Sequence, residues 1–360
     1  MMRALDLGKS SLGLSSPNPP VGALIEKDGV IIGQGFTQEA GGDHAEVVAL
    51  RDAGEEAYGA TMYVTMEPCS HFGKTPPCTK AVINAGIKEV HMAILDPNPL
   101  VNGKGKQALI DKGIEVYSGE NVKEAEDHFQ GYFKFIKTGK PLVIVKYAMT
   151  LDGKTATRIG DSKWITGAKS RQLVHEMRGQ MDAILTAPGT IMSDDPRLNA
   201  RDSNNNPFER QPIRVIVDSH GRTPKDASIF KEQGDIIIFT AGSEAALKYE
   251  DMGEHVSTFV ADDRFGRVNL ETVLKKLGDR GVVQLMTEAG GTLIGALFDQ
   301  ELPDQVVVFI GTSLVGGVDA PAPVEGIGLE TIKESFQLKD VKVDLLDSDI
   351  VVKGLIRSWA

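Results

Sequence analysis

The chain has 360 residues and a formal net charge of −11. Such a length fits about two domains of roughly 150–200 residues each, and the acidic balance argues against a nucleic-acid partner, because phosphate-backbone binding needs a basic face. It leaves room for a small phosphorylated substrate held by a few local cations.

The N-terminal stretch MMRALDLGKSSLGLSSPNPP has no signal-type apolar core. No apolar run nears the roughly 20 residues of a membrane span. The expectation is a cytoplasmic protein without membrane contact. In chain order, VGALIEKDGVIIGQG reads as a hairpin turning at Asp28-Gly29, and HAEVVALRDAGEEA reads as a helix. A strand at TMYVTM leads into the proline-rich EPCSHFGKTPPC, followed by a helix near TKAVINAG and a strand at EVHMAIL. After DPNPLVNGKG come another helix–strand pair and the amphipathic NVKEAEDHFQGYFKFIKTG. This alternation is an α/β layer pattern.

Gly139-Lys140-Pro141 punctuates the chain, since a helix must end before the proline. The pattern restarts at PLVIVKYAMTLDGKTA, with further strands at DAILTA, PIRVIVDS, DIIIFTA, VVQLMTEA and DQVVVFIG. Helices fall near SRQLVHEMRGQ and LETVLKKLGD, and NARDSNNNPFERQ reads as a surface loop. The expected domains are 1–139 and 140–360.

Both cysteines of the chain, Cys69 and Cys78, lie in the one proline-rich loop. In a reducing compartment such a pair is more often metal-binding or catalytic than a disulfide. Catalytic zinc takes three protein ligands and keeps one position open. His44-Ala45-Glu46, followed by Pro-Cys and a second cysteine, is close to the zinc-deaminase signature, although here eight residues rather than two separate the cysteines. The chemistry needs these residue types. Zinc makes water a nucleophile near neutral pH, and a carboxylate that is not a ligand must move the proton to the departing ammonia. Glu46 suits that role. Residues two apart on a helix do not face each other, so the site must sit over the helix N-terminus.

The stretches SPNPPVGALI, HAEVVAL, EPCSHFGKTPPC and DPNPLVNGKG together resemble the deaminase half of the bifunctional riboflavin-biosynthesis deaminase/reductase family. The resemblance implies a cytidine-deaminase-like α/β/α domain. It implies His44, Cys69 and Cys78 as ligands of Zn2+ and Glu46 as the proton shuttle. It further implies Asn18, His71, Lys74, Thr75, Asp96 and Asn98 as contacts to a phosphorylated diaminopyrimidinone. Lys74 also suits an anion on its own, as a point charge in a Gly- and Pro-rich loop. His71 as a fourth ligand would close the metal site, so it reads as a substrate contact.

In the second half, Lys146 interrupts an apolar run, which usually marks an outward or edge position, and SDDPRLNAR reads locally as a capped turn. Gly290-Gly291 opening a helix would let backbone N–H groups approach a phosphate. No G-x-G-x-x-G follows a first strand, so a Rossmann dinucleotide site is not indicated. VKYAMTLDGKTA, SKWITG, GTIMSDDPRLNAR and LMTEAGGTL resemble the reductase half of the same family. That implies a dihydrofolate-reductase-like α/β domain using NADPH, with reduction at C1 of the open ribose. By the resemblance, Lys146, Thr166, Asp195, Arg197, Arg201 and Glu288 line the substrate cleft, with Asp195 placed for proton transfer or orientation. Thr190, Gly290, Gly291 and Thr292 lie along the cofactor. A dimer or tetramer joined through this half is expected. Two alternatives compete: a deaminase with a non-catalytic reductase-like dimerisation domain, and a nucleic-acid-editing deaminase. The acidic balance and the lack of a basic, aromatic-interleaved stretch disfavour the second.

Overall fold

The computed structural model describes residues 1–73 and 75–360. The chain divides into two compact units, Met1–Gly139 with Trp359–Ala360, and Lys140–Ser358. The last two residues thus cluster with the first unit rather than the second.

The first unit runs α1 (Met2–Gly8), β1 (Gly22–Lys27), β2 (Val30–Phe36), α2 (Ala45–Ala53), β3 (Thr61–Met66), α3 (Cys78–Asn84), β4 (Glu89–Ile94), α4 (Lys104–Ile110), β5 (Glu115–Ser118) and α5 (Val122–Thr138). The strands form one sheet in the order β2-β1-β3-β4-β5. β1 is antiparallel to β2 and β3, while β3, β4 and β5 are parallel. The β1–β2 hairpin turns where expected, with Asp28 and Gly29 both at positive φ, as a two-residue hairpin connection requires. α2 packs against α3 and α3 against α4, while α1 packs against α5. The sheet therefore lies between two helical layers, with Ile25, Met62, Val64, Met92 and Phe129 in its core.

The antiparallel β1 has a functional consequence. Its start lies at the same sheet edge as the carboxyl ends of β3 and β4, where ligands bind in open α/β sheets. The loops at that edge carry SPNPP, EPCSHFGKTPPC and DPNP.

The second unit runs β6 (Leu142–Thr150), α6 (Ala168–Gly179), β7 (Ala183–Thr186), α7 (Pro188–Asp194), β8 (Ile213–Val217), β9 (Ile236–Thr240), α8 (Ser243–Leu247), β10 (Val256–Val260), α9 (Leu270–Asp279), β11 (Gln284–Thr287), α10 (Gly291–Asp299), β12 (Gln305–Gly311), β13 (Lys339–Leu346) and β14 (Asp349–Leu355). Its nine strands are ordered β10-β9-β8-β7-β11-β6-β12-β14-β13. β10 through β12 are parallel, and the β14–β13 hairpin adds antiparallel to β12. The central parallel strands are mostly apolar and buried, as in Ile236–Thr240, where every residue is buried, the pattern of a parallel sheet covered on both faces. β10, β13 and β14 were not among the expected strands. β13 is exposed along nearly its whole length, so no buried face marks it.

Candidate active sites

The first site forms where α2, α3 and the ends of β3 and β4 converge. His44 is the N-cap of α2, with extended backbone, and Glu46 lies in the first turn. The non-helical cap turns His44 toward the side chain of its neighbour two residues on, which a regular helix would not do. Cys78 begins α3 and its N–H donates to Cys69 Sγ at 3.3 Å. His44 Nδ1 lies 3.7 Å from Cys69 Sγ and 3.2 Å from Cys78 Sγ. Tetrahedral zinc, with Zn–N of about 2.0 Å and Zn–S of about 2.3 Å, sets such atoms about 3.5 Å apart. The two cysteines are free thiols, and with His44 they are the one three-residue group among the described residues that could hold a metal ion.

The Cys78 thiol, by donating to Cys69, draws the Cys69 thiol down to about 4 with help from His44. The same thiol–thiol bond, with burial, pushes Cys78 up. Burial raises the Glu46 carboxyl to about 7 against the pull of His44. The other ring nitrogen of His44, Nε2, sits 3.5 Å from Thr75 Oγ1. Thr75 is thus placed as an outer partner of the histidine, the kind that fixes ring orientation.

A cavity of about 210 Å³ opens over these groups, and Asn18, His71, Thr75, Asp96 and Asn98 all line it. Lys74 lies outside the described residues. His71 Nδ1 is buried and has no hydrogen-bond partner among the described residues. Burial raises the Asp96 carboxyl to about 6, opposed by the Asn98 N–H and the Tyr132 hydroxyl. Tyr132, on α5, donates to Asp96 Oδ1 at 3.1 Å. Tyr132 and Glu67 also line the cavity, and neither was singled out from the sequence.

The second group of residues lies toward the carboxyl ends of β6, β7 and β11. Glu288 follows β11 and is 8% exposed. Arg178, near the end of α6, grips it through two bonds of 2.6 and 3.0 Å. Lys146 Nζ, on β6, reaches it at 3.3 Å. Burial would raise this carboxyl, but Arg178 and Lys146 overcome burial and hold it at about 2. Arg178 was not expected from the sequence. Its signal was faint: one arginine on a polar helix face, with its partner far along the chain.

Asp195 caps α7 in the left-handed region and accepts both the N–H and the hydroxyl of Ser228 at 2.7 Å. Those bonds hold its exposed carboxyl below the usual range. Arg197 faces Glu232 at 3.3 Å. Arg201 donates to Asn199 and Asn205, and the Thr166 carbonyl accepts from Arg171. Thr190 and Gly290 meet, with the Gly290 N–H donating to Thr190 Oγ1 at 2.9 Å. Gly290 is the N-cap of α10, and a Cβ there would meet nothing closer than Thr190 Oγ1 at 3.9 Å. The space above its Cα is therefore uncrowded, while its N–H is taken by Thr190. Gly291 and Thr292 are engaged differently. A Cβ on Gly291 would strike the Ala322 carbonyl oxygen at 2.6 Å, and the Thr292 hydroxyl donates to Glu325.

Residues 1–94 match the family model for the cytidine and deoxycytidylate deaminase zinc-binding region. Residues 141–352 match that for the RibD C-terminal domain. The chain is 40% identical over 354 residues to the riboflavin biosynthesis protein RibD of Aquifex aeolicus, covering 98% of this chain and 96% of that one. The chain belongs to the RibD family. The RibD protein of Escherichia coli is 39% identical over 359 residues, covering 97% of this chain and 96% of that one. Among solved structures, Acinetobacter baumannii RibD superposes with a TM-score of 0.85 at 38% identity, covering 98% of this chain and 97% of that chain. A diaminohydroxyphosphoribosylaminopyrimidine deaminase/5-amino-6-(5-phosphoribosylamino)uracil reductase from Thermotoga maritima gives 0.85 at 37%, covering 98% of this chain and 96% of that chain.

As a RibD protein, the chain is a bifunctional enzyme of riboflavin biosynthesis, a zinc-dependent deaminase and a reductase. Its cofactors are Zn2+ and NADPH. The His44–Cys69–Cys78 donor set fits zinc in type and spacing. The uncrowded Gly290 at the start of α10 leaves room for a phosphate group to approach the helix N-terminus. No helix among the described residues is long and apolar enough to cross a membrane.

Proposed function

We propose that residues 1–139 deaminate a 2,5-diamino-6-ribosylamino-4(3H)-pyrimidinone 5′-phosphate and that residues 140–360 reduce its ribosyl group to a ribityl chain. The observation that carries the reading is the placement of Glu46, buried and raised to about 7, beside the His44–Cys69–Cys78 donor set under a cavity. Zinc, held by those three residues, supplies the Lewis acidity that makes water nucleophilic near neutral pH. Glu46 accepts the proton released by that water and returns it to the departing amino nitrogen. Its burial suits it to both steps, since desolvation opposes the charge and so favours taking up the proton.

Asn18, Asp96 and Asn98 orient the pyrimidine, and His71, Lys74 and Thr75 bind toward the phosphate. The unpartnered Nδ1 of His71 supports its part in this.

In the second unit Thr190 and Gly290, with Gly291 and Thr292 beyond, would hold NADPH, which would supply the reducing equivalents. Lys146, Arg178 and Glu288 form one wall of the substrate cleft, with Thr166, Arg197 and Arg201 around the phosphorylated chain. Asp195 orients the reacting carbon's oxygen or nitrogen, its carboxylate held in place by the N–H and hydroxyl of Ser228. A homodimer or homotetramer joined through this unit is supported by edge strand β13, where Val341, Val343 and Leu345 are 51%, 60% and 74% exposed. The protein acts in the cytoplasm on small molecules, with neither nucleic acid nor membrane as partner.

The decisive experiment is mass analysis of the product with and without NADPH. Without it, the deaminated, unreduced phosphate compound should accumulate. With it, the ribityl compound should form. Deamination without any NADPH consumption would leave the second unit as a dimerisation module. In parallel, Cys69→Ser should release the zinc, and full retention would remove the ligand assignment.

A further inference from the structure

Glu67 stands between the two loops of the deaminase pocket and belongs to neither chemistry. It follows β3 directly, two residues before the zinc-ligand position Cys69, and is 4% exposed. Among the described residues its carboxylate accepts from backbone donors. Oε2 accepts the N–H of Asp96 at 3.3 Å and of Gly103 at 2.8 Å. Oε1 accepts the N–H of Lys106 at 2.9 Å. One buried carboxylate therefore gathers three N–H groups from residues 96–106, the stretch that carries Asp96 and Asn98 and opens α4. Gly103, the N-cap of α4, is in the left-handed region at φ +79°. The approach is close enough to exclude a side chain: a Cβ on Gly105 would lie 2.0 Å from the Pro68 carbonyl oxygen and 3.1 Å from Glu67 Oε1.

We infer that Glu67 is a positioning residue that registers the Asp96–Asn98 loop against the metal-ligand loop, and so sets the affinity of the deaminase pocket for its pyrimidine. This deepens the proposed deaminase site and rests on Asp96 and Asn98 being substrate contacts. The carboxylate is required by its acceptor count. A glutamine must point its NH₂ either at the Lys106 N–H or at the Asp96 and Gly103 N–H groups. Either choice sets donor against donor and releases one side of the loop.

The test compares three variants of the zinc-loaded full chain, with reduction of supplied deaminated substrate as an internal control of folding. Glu67→Gln should raise the deaminase KM about 10- to 100-fold, the effect of leaving a buried N–H of the substrate loop unpaired. Its kcat should stay within about threefold, with zinc at full occupancy and faster amide exchange across residues 96–106. Gly105→Ala leaves the carboxylate intact but forces α4 off it, and should give the same KM effect with zinc retained. It decides the matter where Glu67→Gln fails to fold. Asp96→Asn tests the underlying reading, and an unchanged KM there would remove the substrate contact and the inference with it. If Asp96→Asn raises KM while the other two variants leave it unchanged, the site stands and the role of Glu67 is overturned. If Glu67→Gln and Gly105→Ala instead lose zinc in step with activity, Glu67 supports the metal loop rather than the substrate loop, and the inference fails.

Discussion

Glu46 in the first unit and Glu288 in the second are buried to nearly the same degree, at 3% and 8% exposure, yet they end in opposite states. Around Glu46 burial dominates, and the carboxyl rises to about 7. Around Glu288 the guanidinium of Arg178 and the ammonium of Lys146 outweigh burial, and the carboxyl falls to about 2. Burial sets the cost of the charge, and fixed cations within hydrogen-bond reach decide whether it is kept. One carboxyl is therefore built to exchange a proton. The other is built never to, and so holds two cations in place. A bound divalent ion draws Glu46 downward from its metal-free position, but it leaves the contrast in partners intact.

The largest effect expected from breaking this contrast is at Glu46. Glu46→Gln should cut deamination by about 10²–10⁴-fold, the range for a lost general acid–base. Zinc content and reduction of supplied deaminated substrate should be unchanged. Near-normal deamination would make Glu46 a first-turn carboxylate favoured only by the α2 dipole. At the other site, Arg178→Met should leave Glu288 with Lys146 as its sole cation. Removing one partner of a buried pair costs about 3–5 kcal/mol. Urea unfolding followed by a probe in the second unit should show a loss of that size. A loss under about 1 kcal/mol would place the pair with exposed surface bridges.

A smaller effect separates the two carboxyls by pH. The Glu288 carboxyl lies at about 2, below its ordinary 4.5. A depressed carboxyl contributes stability above the unfolded value and loses it as pH falls through the folded value. The stability gap between the native protein and Glu288→Gln should thus be full above pH 4.5 and close as pH falls toward 2. It is read from urea midpoints across that range. A gap that stays constant would mean that Glu288 contributes through packing and not through charge.

The metal centre was legible in the sequence because its three ligand positions fall in two short segments, and zinc accepts few other donor types. The hairpin at Asp28-Gly29 and the amphipathic α5 were legible for similarly local reasons: turn chemistry in one case and 3.6-residue periodicity in the other. Arg178 was not, because its partner Glu288 is 110 residues away and an isolated arginine on a helix looks like a solvated face. Glu67 was hidden differently. Among the described residues it accepts only backbone N–H groups, and no residue type at positions 96, 103 or 106 signals that a carboxylate is needed. β13 and β14 meet at Asp347 in the left-handed region followed by Ser348. That turn lacks the Asn-Gly or Asp-Gly signal that marks a hairpin. The bond from the Thr292 hydroxyl to Glu325 was equally hidden, because its partner lies 33 residues along the chain.

The smallest effect expected comes from Tyr132, and it asks whether the first unit tunes a second carboxyl by the rule seen at Glu288. Burial holds the Asp96 carboxyl at about 6, and the Tyr132 hydroxyl, by donating to it, keeps it from rising further. Tyr132→Phe removes that donor and leaves the ring in place. The Asp96 carboxyl should then move above 6, so that less of it is ionised at neutral pH. If ionised Asp96 accepts hydrogen bonds from the pyrimidine, the deaminase KM at pH 7 should rise about three- to tenfold, the net worth of one typical hydrogen bond. The deficit should fade as pH is raised, because alkali restores the carboxylate that the hydroxyl had favoured. A KM raised equally at every pH would mean that Tyr132 shapes the pocket without acting through Asp96. An unchanged KM throughout would mean that the Asp96 charge is held by the Asn98 N–H alone.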